Sequence, residues 1–584
     1  MTPAKPNPLF RLMPSMTDVA FLLPMILLFA GLQGVRTLLG DGDTGWHIRV
    51  GEWIMAHGQV PHQDMFSFTK PGEPFFAWEW LWDVSFAWVH LHWGLGGVVL
   101  VSLVVISMAS ALLYRLVYRR CGNALVAITL TGLADAGASI HWLARPHLVT
   151  MLFMVIFLTI LERVQEGRDS AGSAGGVPGA EVQSAAEPRT NKRLLWLLPV
   201  LMIPWVNLHG AFFVGMVLIG AYAGGELIRA LIAREHEERV EAARASMGYV
   251  LALGGCLAAS LVNPYFYQLH VHIWGYLRDP FQMRYITEFQ GTNFQHAPAM
   301  FLEVMLLLGI GAALWYGRRK QFTEILLLAG WGHLSLVIVR NVPLYMFVAA
   351  PIVALPVTEW LRALSQAPVA KWMRTASQTL EEIGAEIDSL ERVWRVHLVS
   401  AAAVVLVAVG MSSALAGAKL KPEFNPEAYP AGALAQLTRP GQRIFTHDQW
   451  GDYLIYKLSP QGTKVFVDGR SDFYGAKFDL AYLDVLGVKY DWQQTLARYG
   501  VDTILMPVDS PLAGAVKESS RWRAVYDDGR AIVFRLAGEM PGRVEQYSTS
   551  TNGGIGGRDL AVTAVTTMHV NPEDHVIQTR GVYK

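Results

Sequence analysis

The chain has 584 residues, 52% of them hydrophobic and only 16% charged, and its 48 Lys and Arg balance its 48 Asp and Glu. That composition excludes an ordinary soluble domain, and zero net charge gives no field suited to nucleic acid. The two cysteines, Cys121 and Cys256, stand in different flanks of the apolar pattern and read as bland thiols, not as a disulfide or a zinc pair.

The N-terminal "MTPAKPNPLFRLMPSMTD" is basic and polar, and the apolar run after it lacks a small-residue cleavage site, so it reads as an uncleaved first span. Apolar runs near the membrane-crossing length of about 20 residues then recur along the chain. The spans are expected at 17–39, 95–114, 123–141, 146–162, 195–208, 211–229, 246–262, 299–316, 322–339, 344–361 and 397–417, about eleven in all. Arg115, Arg119 and Arg120, then Arg163 to Arg193, Arg229 to Arg244, "GRRK" at 317–320 and Lys371 to Arg395 place Lys and Arg in alternate loops. Those loops are cytoplasmic by the positive-inside rule. The N-terminus is then inside and the chain from about 420 outside, in what would be a bacterial inner membrane. The segment 166–193 is Gly-, Ala- and Ser-rich and expected to be disordered; 370–396 has helical apolar spacing and reads as an amphipathic or a solvated linker helix.

With this topology the polar motifs collect on one face. "DGDTGWHIR" follows the first span, "IHWLARPH" (140–147) joins the third and fourth, "VNLHG" (206–210) ends the fifth, "VNPYFYQLHVHIW" (262–274) leaves the seventh, and "VIVRNVPLY" (337–345) joins the ninth and tenth. The loop 40–92 carries two expected helices. In the first, Trp46, Val50, Trp53 and Ile54 form an apolar face, with Asp43 placed to cap the N-terminus. In the second, Phe76, Trp80, Val84 and Trp88 form the apolar stripe, and Glu79 and Asp83 read as its solvated face. Charges at the edge of a bilayer usually mark a site. Asp41, Asp43, His47 and Arg49 therefore open the candidate site. Arg145, His147 and Arg340 are the candidates for binding a lipid phosphate, and His209 is expected to face a cavity.

From about 420 to 537 the pattern changes. "QRIFTH", "TKVFVD" and "VDTILMP" read as strands, "LAYLDVLGVKYDWQQTLARYG" as helix, and "WRAVYDDGRAIVFRL" as a hairpin. This is a small external α/β domain (419–537), with a flexible tail at 538–584. "FVDGRSDFYG" places Asp468, Arg470 and Asp472 after a strand, either as a ligand site or as a salt-bridged turn.

A long first external loop with two interfacial helices and an acid just after the first span resembles the GT-C superfamily of membrane glycosyltransferases. "DTGWHIRVGEWIMAHGQVPHQDMFS" is similar to the corresponding segment of oligosaccharyltransferase catalytic subunits, and the resemblance covers roughly 17–418. It implies a GT-C-like transmembrane domain over 1–418 and a donor sugar or glycan on a polyprenyl phosphate or diphosphate. The acceptor would be an external glycan, lipid or protein, and the anomeric carbon would be inverted. The family's metal-binding, acceptor-positioning aspartate matches Asp43, with Asp41 beside it. "THDQWGDYLIY" is similar to the family's Trp-Trp-Asp-Tyr-Gly signature, which brings in Trp450 and Asp452, although the order differs and sequon recognition is not carried over. Glu288 resembles a Glu of an external loop in that family. The paired acids of the second external loop are missing. Either Asp43, His141 and His147 hold a divalent metal (Mn, Mg or Zn), or Arg145 handles the leaving phosphate without one. The rival reading is a non-enzymatic protein that transports or binds lipid-linked glycan. Charges clustered on one face and the lack of an evident repeat favour the enzyme.

Overall fold

The computed structural model describes residues 11–173, 192–296, 298–391, 395–414 and 417–538. The expected disorder of 166–193 and of the tail falls largely outside them.

Among the described residues seven helices are long and apolar enough to cross a membrane: Trp80–Cys121, Ala124–His141, His147–Glu166, Gly210–Ile232, His236–Ala259, Ala299–Arg318 and Val339–Gln366. Met16–Gly31, Phe322–Val337 and Leu398–Ser412 are shorter apolar helices at three further expected spans. The run expected at 195–208 is the 12-residue helix Leu197–Leu208, with Pro204 inside it. The chain is a multi-pass membrane protein built on this helical body.

Local chemistry explains where the helices start and stop. Ser15 and Asp18 form a reciprocal capping box at Met16–Ile26, and the Asn123 side chain accepts from the Val126 N–H at 3.0 Å. Asp18 also accepts from Ser400 at 2.6 Å, which ties the first apolar helix to the last. The first helix is shorter than the expected 17–39. After Gly31 the chain turns at Gly34 (φ 65°), where any Cβ would fall 2.2 Å from the Lys419 carbonyl oxygen. The second external helix and the next span, expected as separate elements, are one element of 42 residues, Trp80–Cys121, kinked at Gly94 (φ 60°, ψ −159°). Only glycine adopts that conformation readily, so the bend falls there. Helix Val342–Gln366 runs through the middle of the body, with Tyr345 to Ala354 buried against Ala124–Ala138, Trp80–Cys121, Ala299–Arg318 and Phe322–Val337. Lys371–Glu391 is helical as expected, and its Asp388 accepts from the Ala124 N–H at 2.9 Å.

Among the described residues the C-terminal part holds one sheet of four strands in the order Ile444–Thr446, Thr503–Pro507, Ala531–Leu536 and Trp522–Asp527. The first pair is parallel and the others antiparallel. "TKVFVD" is not a strand: Val465 makes only isolated bridges, to Ser67 and to Ile444. Beyond it the backbone packs on Gly451, where a Cβ would lie 2.0 Å from the Val467 carbonyl oxygen, and reaches Asp43 at Gly469. Helix Asp448–Leu458 packs on Asp43–His57 across Gly42 and Gly45. A Cβ at Gly45 would sit 2.7 Å from Tyr456 Cβ.

Candidate active site

Asp43 is the first helical residue of Asp43–His57 and does not cap it: Gly42 is the N-cap position and offers no side chain. Asp41 supplies the local bond instead, accepting from the Asp43 N–H at 2.9 Å. The Asp43 carboxylate is thereby free to face the interior. Its Oδ2 pairs with Arg145 Nη2 at 2.7 Å, while its buried Oδ1 has no hydrogen-bond partner.

Arg145 stands in the loop before helix His147–Ser173 and is the hub of the site. Its Nη1 reaches Asp41 Oδ2 at 2.7 Å and Glu288 Oε1 at 3.0 Å. Glu288 in turn lies 3.5 Å from Arg340 Nη1. Sequence positions 41, 43, 145, 288 and 340 thus converge in one charged cluster. Burial would raise the Glu288 carboxyl, but Arg145 and Arg340 outweigh it and hold the group well below the usual carboxylate range. Asp43 goes the other way. Burial pushes it up to about 7, with Asp41 and Glu288 adding to the rise and Arg145 opposing it.

The C-terminal part closes over this cluster. Asp452, fully buried, accepts from the Gly469 N–H through Oδ1 at 2.9 Å and leaves Oδ2 without a partner. A Cβ at Gly469 would lie 2.2 Å from Asp43 Oδ1 and 2.9 Å from Asp452 Oδ2, so the two unpartnered oxygens converge on a position that only glycine can fill. Burial raises the Asp452 carboxyl well above its usual range, and the nearby Asp43 adds to this. Arg470 is buried between Asp64 and Asp468, at 2.7 Å from each, and Tyr474 donates to Asp468 at 2.8 Å. Of the two readings of "FVDGRSD", the geometry is the salt-bridged turn.

Other candidate residues lie elsewhere. Arg49 donates to the Tyr456 carbonyl at 2.9 Å and pairs with Glu52, so it pins two helices together. Trp450 Nε1 donates to the Ala428 carbonyl at 2.8 Å, away from the cluster. His147 is turned toward the His141 carbonyl, and the two rings sit 5.5 Å apart. His147 Nε2 is spent on the His141 carbonyl, so Asp43, His141 and His147 do not present a ligand set. Among the described residues no group of three or more His, Cys, Asp or Glu fits a metal ion. His47 stacks on Trp46 at 3.7 Å and meets Asp83 at 2.6 Å; burial holds its imidazole well below its ordinary range. His209 meets Thr150 at 2.7 Å.

Glu79 and Asp83 are not a solvated face. The Asp83 side chain is 1% exposed and that of Glu79 12%. The sequence showed them beside an aromatic stripe, but the helix is covered on both sides: by Asp43–His57 on one and by the Asn207–Gly210 turn on the other, where Trp80 Nε1 donates to Asn207 at 2.8 Å. Asp64 and Gly469 were also missed. A lone Asp in a turn and a lone Gly after a strand carry no signal of partners some 400 residues away.

A polytopic helical body, a charged cluster at the start of the loop that follows its first apolar helix and an α/β segment folded over that cluster make a fold similar to that of a solved membrane oligosaccharyltransferase. The oligosaccharyltransferase of Archaeoglobus fulgidus in the apo form superposes with a TM-score of 0.50 at 11% identity, over 85% of this chain and 69% of that one. The AglB oligosaccharyltransferase of the same organism, in complex with an inhibitory peptide and a dolichol-phosphate, gives 0.49 at 12% identity, over 89% of this chain and 74% of that one. ArnT from Cupriavidus metallidurans bound to undecaprenyl phosphate gives 0.41 at 16% identity, over 90% and 98%. No family model matches the chain, and no curated protein does.

Proposed function

We propose that this chain transfers a sugar or glycan from a polyprenyl phosphate or diphosphate to an acceptor at the external face of a membrane, with inversion at the anomeric carbon. The observation that carries the reading is the buried Asp43 carboxylate, gripped by Arg145 through one oxygen and unpartnered at the other. A carboxylate so placed can take the acceptor's proton through Oδ1 while Oδ2 stays fixed. Arg145 and Arg340 supply positive charge for the leaving phosphate. Arg145 already serves three carboxylates, whereas Arg340 has one ion-pair contact, at 3.5 Å, among the described residues. We therefore assign the first phosphate contact to Arg340 and give Arg145 the task of holding Asp43.

The test is Asp43→Asn. Because Asp43 is not a helix cap and Arg145 keeps Asp41 and Glu288 as partners, the isosteric amide should leave expression and thermal stability near wild type. Loss of a general base should lower transfer by about 10²–10⁴-fold. In the wild type Asp43 must be ionised to accept a proton, and its pKa is raised to about 7. Transfer should then weaken as the pH falls below neutrality, and a rate flat through that region would remove Asp43 as the base.

The same reading places the segment after residue 420 outside. A reporter that matures only outside the membrane, fused after residue 430, should be active. Activity there of a reporter that works only in the cytoplasm would overturn both the orientation and the external acceptor.

A further inference from the structure

A second file of titratable side chains lies beside the Asp43–Arg145 contact, and the mechanism above leaves it unused. At its centre Glu79 stands between two imidazoles, with Oε1 3.4 Å from His209 Nε2 and Oε2 3.7 Å from His47 Nε2. Each imidazole is anchored at its other nitrogen. Asp83 Oδ1 lies 2.6 Å from His47 Nδ1, and Thr150 Oγ1 lies 2.7 Å from His209 Nδ1 while accepting from Trp205 Nε1 at 3.1 Å. Anchoring one ring nitrogen fixes which face of the imidazole the other presents. Both rings present theirs to Glu79. The side chains of His47 and Asp83 are 2% and 1% exposed, and Glu79 is the most open member of the file at 12%. The file is therefore sealed at its ends and open only at Glu79.

We propose that Glu79 is a second acid–base residue of this site, the one that delivers a proton to the leaving phosphate oxygen, and that His47 and His209 hold it in position for this. The inference rests on the transfer reading given above. The acceptor oxygen or nitrogen loses its proton to Asp43 and places an electron pair on the anomeric carbon. The bond from that carbon to the phosphate oxygen breaks, its pair stays on oxygen, and Glu79 gives its proton to the phosphate. Solvent at the open end of the file restores the proton to Glu79 and removes the one on Asp43.

The surroundings suit a carboxyl that keeps its proton near neutral pH. Burial raises Glu79 to about 7, against the pull of Arg340, Arg145 and the Gly210 N–H, with Asp472 reinforcing the rise. His47, His209 and Asp83 complete the titratable groups that face it. His47 stands one helical turn after Asp43 on Asp43–His57, and its contact with Glu79 sets this acid beside the Asp43–Arg145 pair.

The experiment pairs infrared titration with kinetics on the purified full chain. Across the neutral pH range the wild type should show a protonated-carboxyl stretch that titrates. Asp43→Asn should keep one such component, and Glu79→Gln should lose it. In transfer assays Glu79→Gln should bind undecaprenyl phosphate as the wild type does, lose about 10²-fold or more in rate, and lack the alkaline limb of the pH profile, which a purely structural residue would not alter. Should Glu79→Gln fail to accumulate, Glu79→Asp carries the test: its shorter side chain leaves the imidazoles, and both the infrared midpoint and the alkaline limb should move. An unchanged titrating band in Glu79→Gln, or a wild-type rate and pH profile, overturns the proposal while the transfer reading stands. If the wild type neither binds undecaprenyl phosphate nor transfers, the transfer reading falls and the delivery step with it.

Discussion

Arg145→Ala is expected to abolish transfer and to destabilise the protein. The guanidinium joins Asp41, Asp43 and Glu288, and its side chain is 15% exposed. Without it, three carboxylates face one another in a largely dry pocket. Removing one partner of a buried ion pair costs about 3–5 kcal/mol, because the remaining charge has no compensation. Some of that is relieved when Asp43 takes up a proton, which itself removes the proposed base. Arg145→Lys separates charge from shape. Lysine keeps the positive charge but cannot reach Asp43 through one nitrogen and both Asp41 and Glu288 through another. The lysine protein should therefore fold, bind undecaprenyl phosphate through Arg340, and transfer at least about tenfold more slowly, a loss of about 1.4 kcal/mol of transition-state stabilisation. Thermal unfolding, lipid binding and transfer measured on the three proteins check this. Wild-type transfer in the alanine protein would remove Arg145 from the site and, with it, the account of how Asp43 is held.

Arg470→Ala should release the C-terminal α/β segment from the membrane body. Arg470 is 2% exposed at its side chain and lies between Asp64, from the first loop, and Asp468, both with wholly buried side chains. Asp64 also accepts from the Ser67 N–H and hydroxyl at 2.8 and 2.7 Å, so it cannot turn away to water. The loss is again about 3–5 kcal/mol, set by two stranded carboxylates. It should appear as faster proteolysis between residues 420 and 540 and as lost transfer, since Gly469 and Asp452 would leave Asp43. Combining Arg470→Met with Asp64→Asn and Asp468→Asn removes the stranded charges and should recover much of the stability. If the triple variant is no more stable than Arg470→Ala, the loss comes from packing and not from charge.

The hydropathy pattern determined the membrane class and the place of almost every apolar helix, because crossing a hydrocarbon core demands runs of fixed length that any chain must display openly. Turn chemistry did the same at the hairpin of "WRAVYDDGRAIVFRL", where the signal and the structure it makes lie within a few residues. The charged residues at the ends of those helices were likewise visible: Asp41, Asp43, Arg145, Glu288 and Arg340 do converge. What they do there was not. Asp43 read both as a helix cap and as a site acid, and only the tertiary structure shows its oxygens divided between Arg145 and Gly469. Arg49 and Trp450 looked like pocket residues and serve as helix pins, because a polar side chain reads the same whether it meets a substrate or a neighbouring carbonyl. Glu79 and Asp83 looked solvated because i, i+4 spacing gives a face but not what covers it, and the cover comes from other helices. The pairing of Asp64 with Arg470, and the closeness of Gly469 to Asp43, link positions about 400 residues apart through side-chain packing alone. Nothing local encodes such contacts, so the sequence determined the elements and the charged residues at their ends, and the packing of one segment on another decided which of those residues make the site.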